Sequence, residues 1–328
     1  MALYLISGLV LESEIELPEL PTAPTGPPDM GWRISSEPRP SPDGGEWLYQ
    51  WDSVDGTPWC STGRVGKQWL LRYPEHGDFL ISEDQREVIC YPTSSTPVET
   101  LRHLYVDQVF PLQLSHSGRL VLHASSLALP ANAEQGDSWN VLALAGESGA
   151  GKSTLVASLC QRGGRLITDD ALLLEETAQG WLAIPHYASF RLWDDSASRL
   201  EWDTQQLPTV AHYSRKKRVG AAVGNIRMET QKLALSRIIL LQPRKNVDTE
   251  LAGSDAVHLE PISARDALLE LTPCTYRLDA SDRAHMRREL EQLGRLVTAV
   301  PSYRLTFPHD FQLLEKVQEA VLSAPAHS

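Results

Sequence analysis

The hydrophobic positions of the chain keep two different rhythms. Over residues 1–96 they fall in short runs rich in aromatic and β-branched residues, at Ala2–Val10, Glu46–Trp51, Gln68–Tyr73, Gly77–Ser82 and Glu87–Tyr91, with turn formers between them. Runs of that kind predict strands, and Pro18–Pro28 is too rich in proline to be anything but a loop. A small antiparallel β-rich domain is therefore expected over 1–96. Its tryptophans read first as packing within a small sheet and only second as a ligand platform. From Pro97 the period changes: Leu101, Leu104, Tyr105, Gln108 and Leu112 recur at helical spacing, which predicts a linking helix over Pro97–Ser115.

The second domain, 97–328, reads as α/β. Strands are predicted at Arg119–Leu129 and Trp139–Ala145, joined by a loop over Pro130–Ser138, then a helix over Thr154–Arg162 closed by Gly163 and Gly164 as a left-handed cap. Arg165–Thr168 is the next strand, and Ala171–Leu174, Trp181–Ile184 and Ser236–Leu241 are further strand-like runs. Helices follow. Ser263 and Asp266 form a capping box, Met286, Leu290, Leu293 and Val297 line one helix face, and Leu314, Val317 and Val321 line the last.

At 328 residues the chain is long enough for two such domains, and 42% hydrophobic with 22% charged residues describes a globular protein. No apolar run approaches the ~18 residues that span a bilayer, and the amino terminus lacks the pattern of a secretory signal. A cytoplasmic protein without a membrane partner is expected. The net charge of −12 disfavours a nucleic-acid surface. Cys60, Cys90, Cys160 and Cys274 are scattered, with no metal-binding or redox pair among them, and read as reduced structural thiols.

The chemistry concentrates after the strand Trp139–Ala145. Gly146, Glu147, Ser148, Gly149, Ala150, Gly151, Lys152, Ser153 and Thr154 have the spacing of a Walker A phosphate-binding loop, a pattern that arises by chance in roughly one chain of this length in a hundred. Glycines let consecutive N–H groups converge on phosphate oxygens, Lys152 reaches the β- and γ-phosphates, Ser153 offers a hydroxyl to Mg²⁺, and the following helix adds its positive end. ATP with Mg²⁺ is the expected ligand. Asp169 and Asp170 end the next strand, which a right-handed crossover brings to the same sheet edge as the loop. One of the two would hold the metal and the other accept the proton of an attacking hydroxyl, and which is which stays open. His123 shares a strand face with Val121 and Ser125; in an apolar strand it reads as either a core histidine or an assistant to the chemistry. The run Arg215–Arg218 is a solvated face or a mobile clamp, with Lys217 and Arg218 as clamp candidates and Arg191 as another.

Taken together, Lys152, Gln161-Arg162-Gly163, Leu166 to Asp170 and His123 resemble the catalytic domain of HPr kinase/phosphorylase, a serine-kinase fold related to phosphoenolpyruvate carboxykinase. The stretches Ile6–Leu20, Phe190–Asp194 and Val300–Pro308 are similar to a branch of that family that includes lasso-peptide tailoring kinases. The resemblance implies ATP-dependent phosphorylation of a serine hydroxyl on a peptide, with Lys152 on the phosphates, Ser153 on magnesium, Asp169 or Asp170 as base and His123 near the γ-phosphate. HPr kinases are hexamers, so a homo-oligomer is an implication of the resemblance alone. There is a departure: the metal-binding glutamate that precedes the arginine matched by Arg191 is Ser189 here, which weighs against a second metal site and a reverse phosphorylase activity. The long glycine signature of HPr kinases is also missing, so HPr itself is not the expected acceptor. The rivals are a kinase of a small hydroxylated metabolite and an ATP-binding module without transfer chemistry.

Overall fold

The computed structural model describes residues 1–53, 56–130, 139–187, 189–220, 223, 226–244 and 256–325. Most of the expected loop Pro130–Ser138 lies outside them. The chain divides into two compact units, the first made of Met1–Arg119, Thr209–Ser214 and Tyr276–Arg288, the second of Leu120–Pro208, Arg215–Thr275 and Glu289–Ser328.

The first unit is built on an eight-stranded sheet. In spatial order it runs β1 (Ala2–Ile6), β2 (Leu9–Ser13), β3 (Met30–Ile34), β8 (Glu87–Pro92), β7 (Gly77–Ile81), β6 (Gln68–Tyr73), β5 (Pro58–Val65) and β4 (Tyr49–Asp52). The single strand expected over Ala2–Val10 is a hairpin. Ser7 and Gly8 both take positive φ, 50° and 72°, the requirement of a two-residue type I′ turn. The sheet is also not wholly antiparallel, because β3 runs parallel to both β2 and β8.

The boundary expected at residue 96 falls at Arg119, because the linking helices belong to the first unit's core. Tyr105 stacks on Trp32 with ring centroids 4.2 Å apart, and the Gln113 amide donates to the Gln85 carbonyl at 2.7 Å. The helix itself is interrupted. Between α1 (Val98–Leu104) and α2 (Phe110–His116), residues Tyr105–Val109 form a π turn, whose i→i+5 bonding puts an extra residue in the turn and rotates the buried face. Leu101, Leu104 and Tyr105 are buried as the spacing predicts, but Val109, Phe110, Gln113 and Leu114 continue the face in place of Gln108 and Leu112.

The second unit is mixed α/β. Strand β9 (Leu120–Pro130) pairs antiparallel with β10 (Trp139–Ala145), with β11 (Arg165–Thr168) and with β12 (Ala171–Thr177). Beyond β10 the ladder continues in parallel through β17 (Leu233–Arg244) to β19 (Ser302–Pro308), with β13 (Gly180–Ile184) joining β12 to β17 and β18 (His258–Pro261) on the edge. Since β10 and β11 both oppose β9, they run in the same direction, and their carboxyl ends reach Ala124 and Ser126 of β9. That topology brings the glycine loop and the aspartate pair to one sheet edge.

Both faces of β10 are buried, which explains its unbroken apolar run. Leu142 and Leu144 pack with α3 (Lys152–Gln161) and with Val317 and Val321 of the helix Leu314–Ser323. Val141, Ala143 and Ala145 face Ala267 and Leu271 of the helix Ala264–Leu271, and Leu293, Leu296 and Val297. Met286 and Leu290, expected on that stripe, are 38% and 49% exposed, and the buried positions ahead of Leu293 are His285 and Glu289. Ser263 caps its helix as predicted, its hydroxyl accepting from the Asp266 N–H at 3.1 Å. Among the described residues no helix is long and apolar enough to cross a membrane.

Trp32 is 1% exposed beneath Tyr105. Trp32→Ala is expected to lower unfolding free energy by about 3–5 kcal/mol, read as a shifted midpoint in urea denaturation.

Candidate active site

Strand β10 can leave the sheet only through a glycine. Gly146 has φ +146°, and a Cβ there would lie 2.8 Å from the Leu241 carbonyl oxygen of β17. Gly149 and Gly151 take φ +83° and +93°, a conformation that side-chain-bearing residues adopt at a penalty. Gly151 caps α3, so the loop ends on the positive end of a helix dipole. Lys152 is 5% exposed. Its Nζ donates to the carbonyls of Gly146 at 2.8 Å and Glu147 at 3.0 Å. Burial pushes its ammonium down to about 8, with Lys216 and Arg191 acting the same way and Cys274 and Asp169 opposing.

Asp169 and Asp170 form the tight link between β11 and β12, and their carboxylates do different things. Asp169 is 2% exposed; it accepts from the Ser125 hydroxyl at 2.6 Å through Oδ1 and from the Arg191 backbone N–H at 3.0 Å through Oδ2. Asp170 has φ +76°, which aspartate tolerates better than most residues. Its Oδ1 lies 2.8 Å from Nε2 of His123, and its Oδ2 pairs with the Arg191 guanidinium. Burial, reinforced by Lys152 and Arg191, pushes His123 down to about 3. The imidazole is neutral near pH 7, so Nε2 carries the proton and donates to Asp170.

These groups line one cavity of about 300 Å³. Ser148, Gly149, Gly151, Lys152, Ser153 and Thr154 form its loop side; His123, Asp170, Arg191 and Lys216 form another wall. Gly146, Glu147, Ala150 and Asp169 stand behind that lining. Lys217 and Arg218, the expected clamp, do not reach it. Strand β15 (Lys217–Gly220) pairs with β14 (Ser189–Leu192), setting Arg218 opposite Arg191 and Lys217 opposite Leu192. Lys217 Nζ lies 4.0 Å from Asp194, and Arg218 donates to the Tyr187 hydroxyl at 3.3 Å. Lys216, just before the strand, is the member of the run that lines the cavity.

Sequence reasoning missed Lys216, the bond from Ser125, and an apolar wall contributed by Phe307, Phe311, Leu314 and Val317. Only Lys216 had a local signal, as a neighbour of the suspected residues. Ser189 is 1% exposed and opens β14. Among the described residues no cluster of three or more His, Cys, Asp or Glu side chains could hold a metal on its own.

No family model matches the chain, and no curated protein matches it. Among solved structures, the Hpr(Ser) kinase/phosphatase from Coxiella burnetii is similar at 14% identity over 62% of this chain and 93% of that one, with a TM-score of 0.29. A likeness at that score assigns neither fold nor role.

His123 generates a pH prediction. Its ordinary value of 6.5 is depressed in the fold, so as pH falls below about 6.5 the unfolded chain takes up the proton first. The stability is fully present above that pH and is lost progressively on acidification. His123→Asn is expected to flatten the fall of melting temperature between pH 6.5 and pH 4 relative to the native chain; superimposable profiles would count against a half-buried neutral imidazole.

Proposed function

We propose that this chain is a phosphotransferase that moves the γ-phosphoryl group of ATP to a hydroxyl, with a serine of a peptide as the acceptor. The observation that carries the reading is the meeting, in one cavity, of a glycine loop with its buried lysine and a carboxylate fixed by histidine and arginine. The motifs that resemble HPr kinases agree with it, and the polar lining suits a polyphosphate: loop N–H groups, Lys152 and Lys216 oppose its charge.

Of the two aspartates, Asp170 is the base. It lines the cavity, whereas Asp169 is 2% exposed and stands behind the lining. The acceptor oxygen attacks the γ-phosphorus, its proton passes to Asp170, and the bond to the ADP oxygen breaks. His123 donates to Asp170 and Arg191 pairs with it, so the carboxylate is held in one orientation before the acceptor arrives. Asp169 is a positioning residue, tying the turn to β9 and β14. Ser153 would hold Mg²⁺ together with phosphate oxygens and water, and the metal when bound neutralises charge on the phosphates. Lys216 is placed to oppose the charge on the transferring group.

Asp170→Asn is expected to lower transfer by about 10²–10⁴-fold while ATP affinity is retained. Lys152→Ala is expected to weaken ATP binding by about 10- to 100-fold. Radiolabelled ATP with serine-containing peptides measures the first, and calorimetric titration the second. Transfer undiminished by Asp170→Asn would remove the proposed base. Labelling of small hydroxylated compounds but of no peptide would move the acceptor to that class.

A further inference from the structure

The order of elements along the sheet edge assigns a position to each part of the nucleotide. Strands β10, β17 and β19 are parallel neighbours, so Ala145 pairs with Leu240 and Leu240 with Arg304, and all three carboxyl ends point the same way. The end of β10 carries the glycine loop. Two strand spacings away, about 10 Å, the end of β19 carries Phe307 and Pro308 and then a tight turn. In that turn the Asp310 N–H donates to the Pro308 carbonyl at 2.8 Å, and the Asp310 carboxylate accepts from the Gln312 N–H at 2.9 Å. Phe311 is thereby held at the cavity, where Leu314, Val317 and, from α3, Leu155 join it. On the other side of β10 lies β9 with His123, and beyond it the turn with Asp170.

The cavity therefore has a charged end and, beyond the glycine loop, an end where an aromatic and aliphatic wall is flanked by His309 and Asp310. An aromatic and aliphatic wall cannot solvate phosphate or metal, but it fits a flat, uncharged ring. A ligand that sets such a ring one sugar away from a polyphosphate is a nucleoside triphosphate. The acceptor has to reach Asp170 at the opposite end, which leaves the aromatic end to the nucleotide. Resting on the phosphotransferase reading, we infer that Phe311 and Leu314, with Phe307, Val317 and Leu155 behind them, form the nucleobase subsite, selecting a purine by stacking and apolar contact. Arg199, whose guanidinium lies 5.8 Å from the Phe311 ring centroid, holds that ring by a cation–π contact.

Calorimetric titration of the full chain with ATP, CTP and tripolyphosphate, each with magnesium, tests the assignment. The native chain should bind ATP more tightly than CTP and CTP more tightly than tripolyphosphate. Phe311→Ala and Leu314→Ser should each weaken ATP by about 5- to 100-fold, the range of base stacking, and leave tripolyphosphate within about twofold. Phe311→Trp should retain ATP binding. Unchanged tripolyphosphate affinity also reports that the variants are folded. Equal losses for ATP and tripolyphosphate, or ATP affinity unaffected by both variants, would overturn the subsite while leaving the phosphate site standing. Failure of the native chain to bind either ligand would remove the nucleotide reading itself, and the subsite with it.

Discussion

A single buried carboxylate organises the site. Removing an ionised aspartate from water costs several kcal/mol unless its oxygens are satisfied, and Asp169 meets that condition with a hydroxyl from β9 and a backbone N–H from β14. The two bonds fix three segments that are far apart in sequence. They also settle the backbone of the next residue. With Asp169 anchored inward, Asp170 adopts a positive φ, and its carboxylate stands between His123 and the guanidinium of Arg191. Arg191 thus acts twice, through its N–H on one aspartate and its side chain on the other. Two adjacent acids would otherwise repel each other; here one is anchored by hydrogen bonds in the fold and the other is compensated by a cation.

The same accounting applies to the cations. Lys152 is held by two loop carbonyls and loses basicity through burial, so the site carries an ammonium poised to gain a stronger partner. Lys216 and Arg191 depress it further. In a chain whose net charge is −12, the cavity sets three cations, Lys152, Arg191 and Lys216, against the carboxylates of Asp170, Asp195 and Asp310, and attraction for an anion is local to the loop, where Lys152 and the start of α3 lie together. His123 contributes by staying neutral: a protonated imidazole would compete for Asp170 and add a fourth positive charge.

Local patterns made part of this legible. The glycine loop is a fixed spacing on contiguous residues, and the placement of Asp169 and Asp170 followed from one crossover, because β10 and β11 run in the same direction. What could not be read depends on pairings between distant segments. Whether Lys216, Lys217 or Arg218 faces the cavity is decided by the register of β15 on β14, and nothing in a run of four basic residues encodes it. The wall made by Phe307 and Phe311 depends on β19 lying two strands from β10. The parallel insertion of β3 is equally non-local. The hairpin at Ser7 and Gly8 is different: Ser-Gly is a turn signal, but the apolar residues on both sides invited reading one strand. The π turn at Tyr105–Val109 shifted the buried face by an amount that no fixed helical period anticipates.

Ser189 bears on how a metal would be held. The residue is 1% exposed at the start of β14, so a carboxylate there would be buried in a site shaped for a hydroxymethyl group. No described cluster offers three carboxylate, imidazole or thiolate ligands. Mg²⁺ prefers a six-oxygen shell and usually takes one or two protein carboxylates, with the remainder from phosphates and water. On the proposed reading the protein's share is the Ser153 hydroxyl, and the rest of the shell comes from the nucleotide and water. Metal and nucleotide would then arrive as one complex, and affinity for the metal alone would be weak.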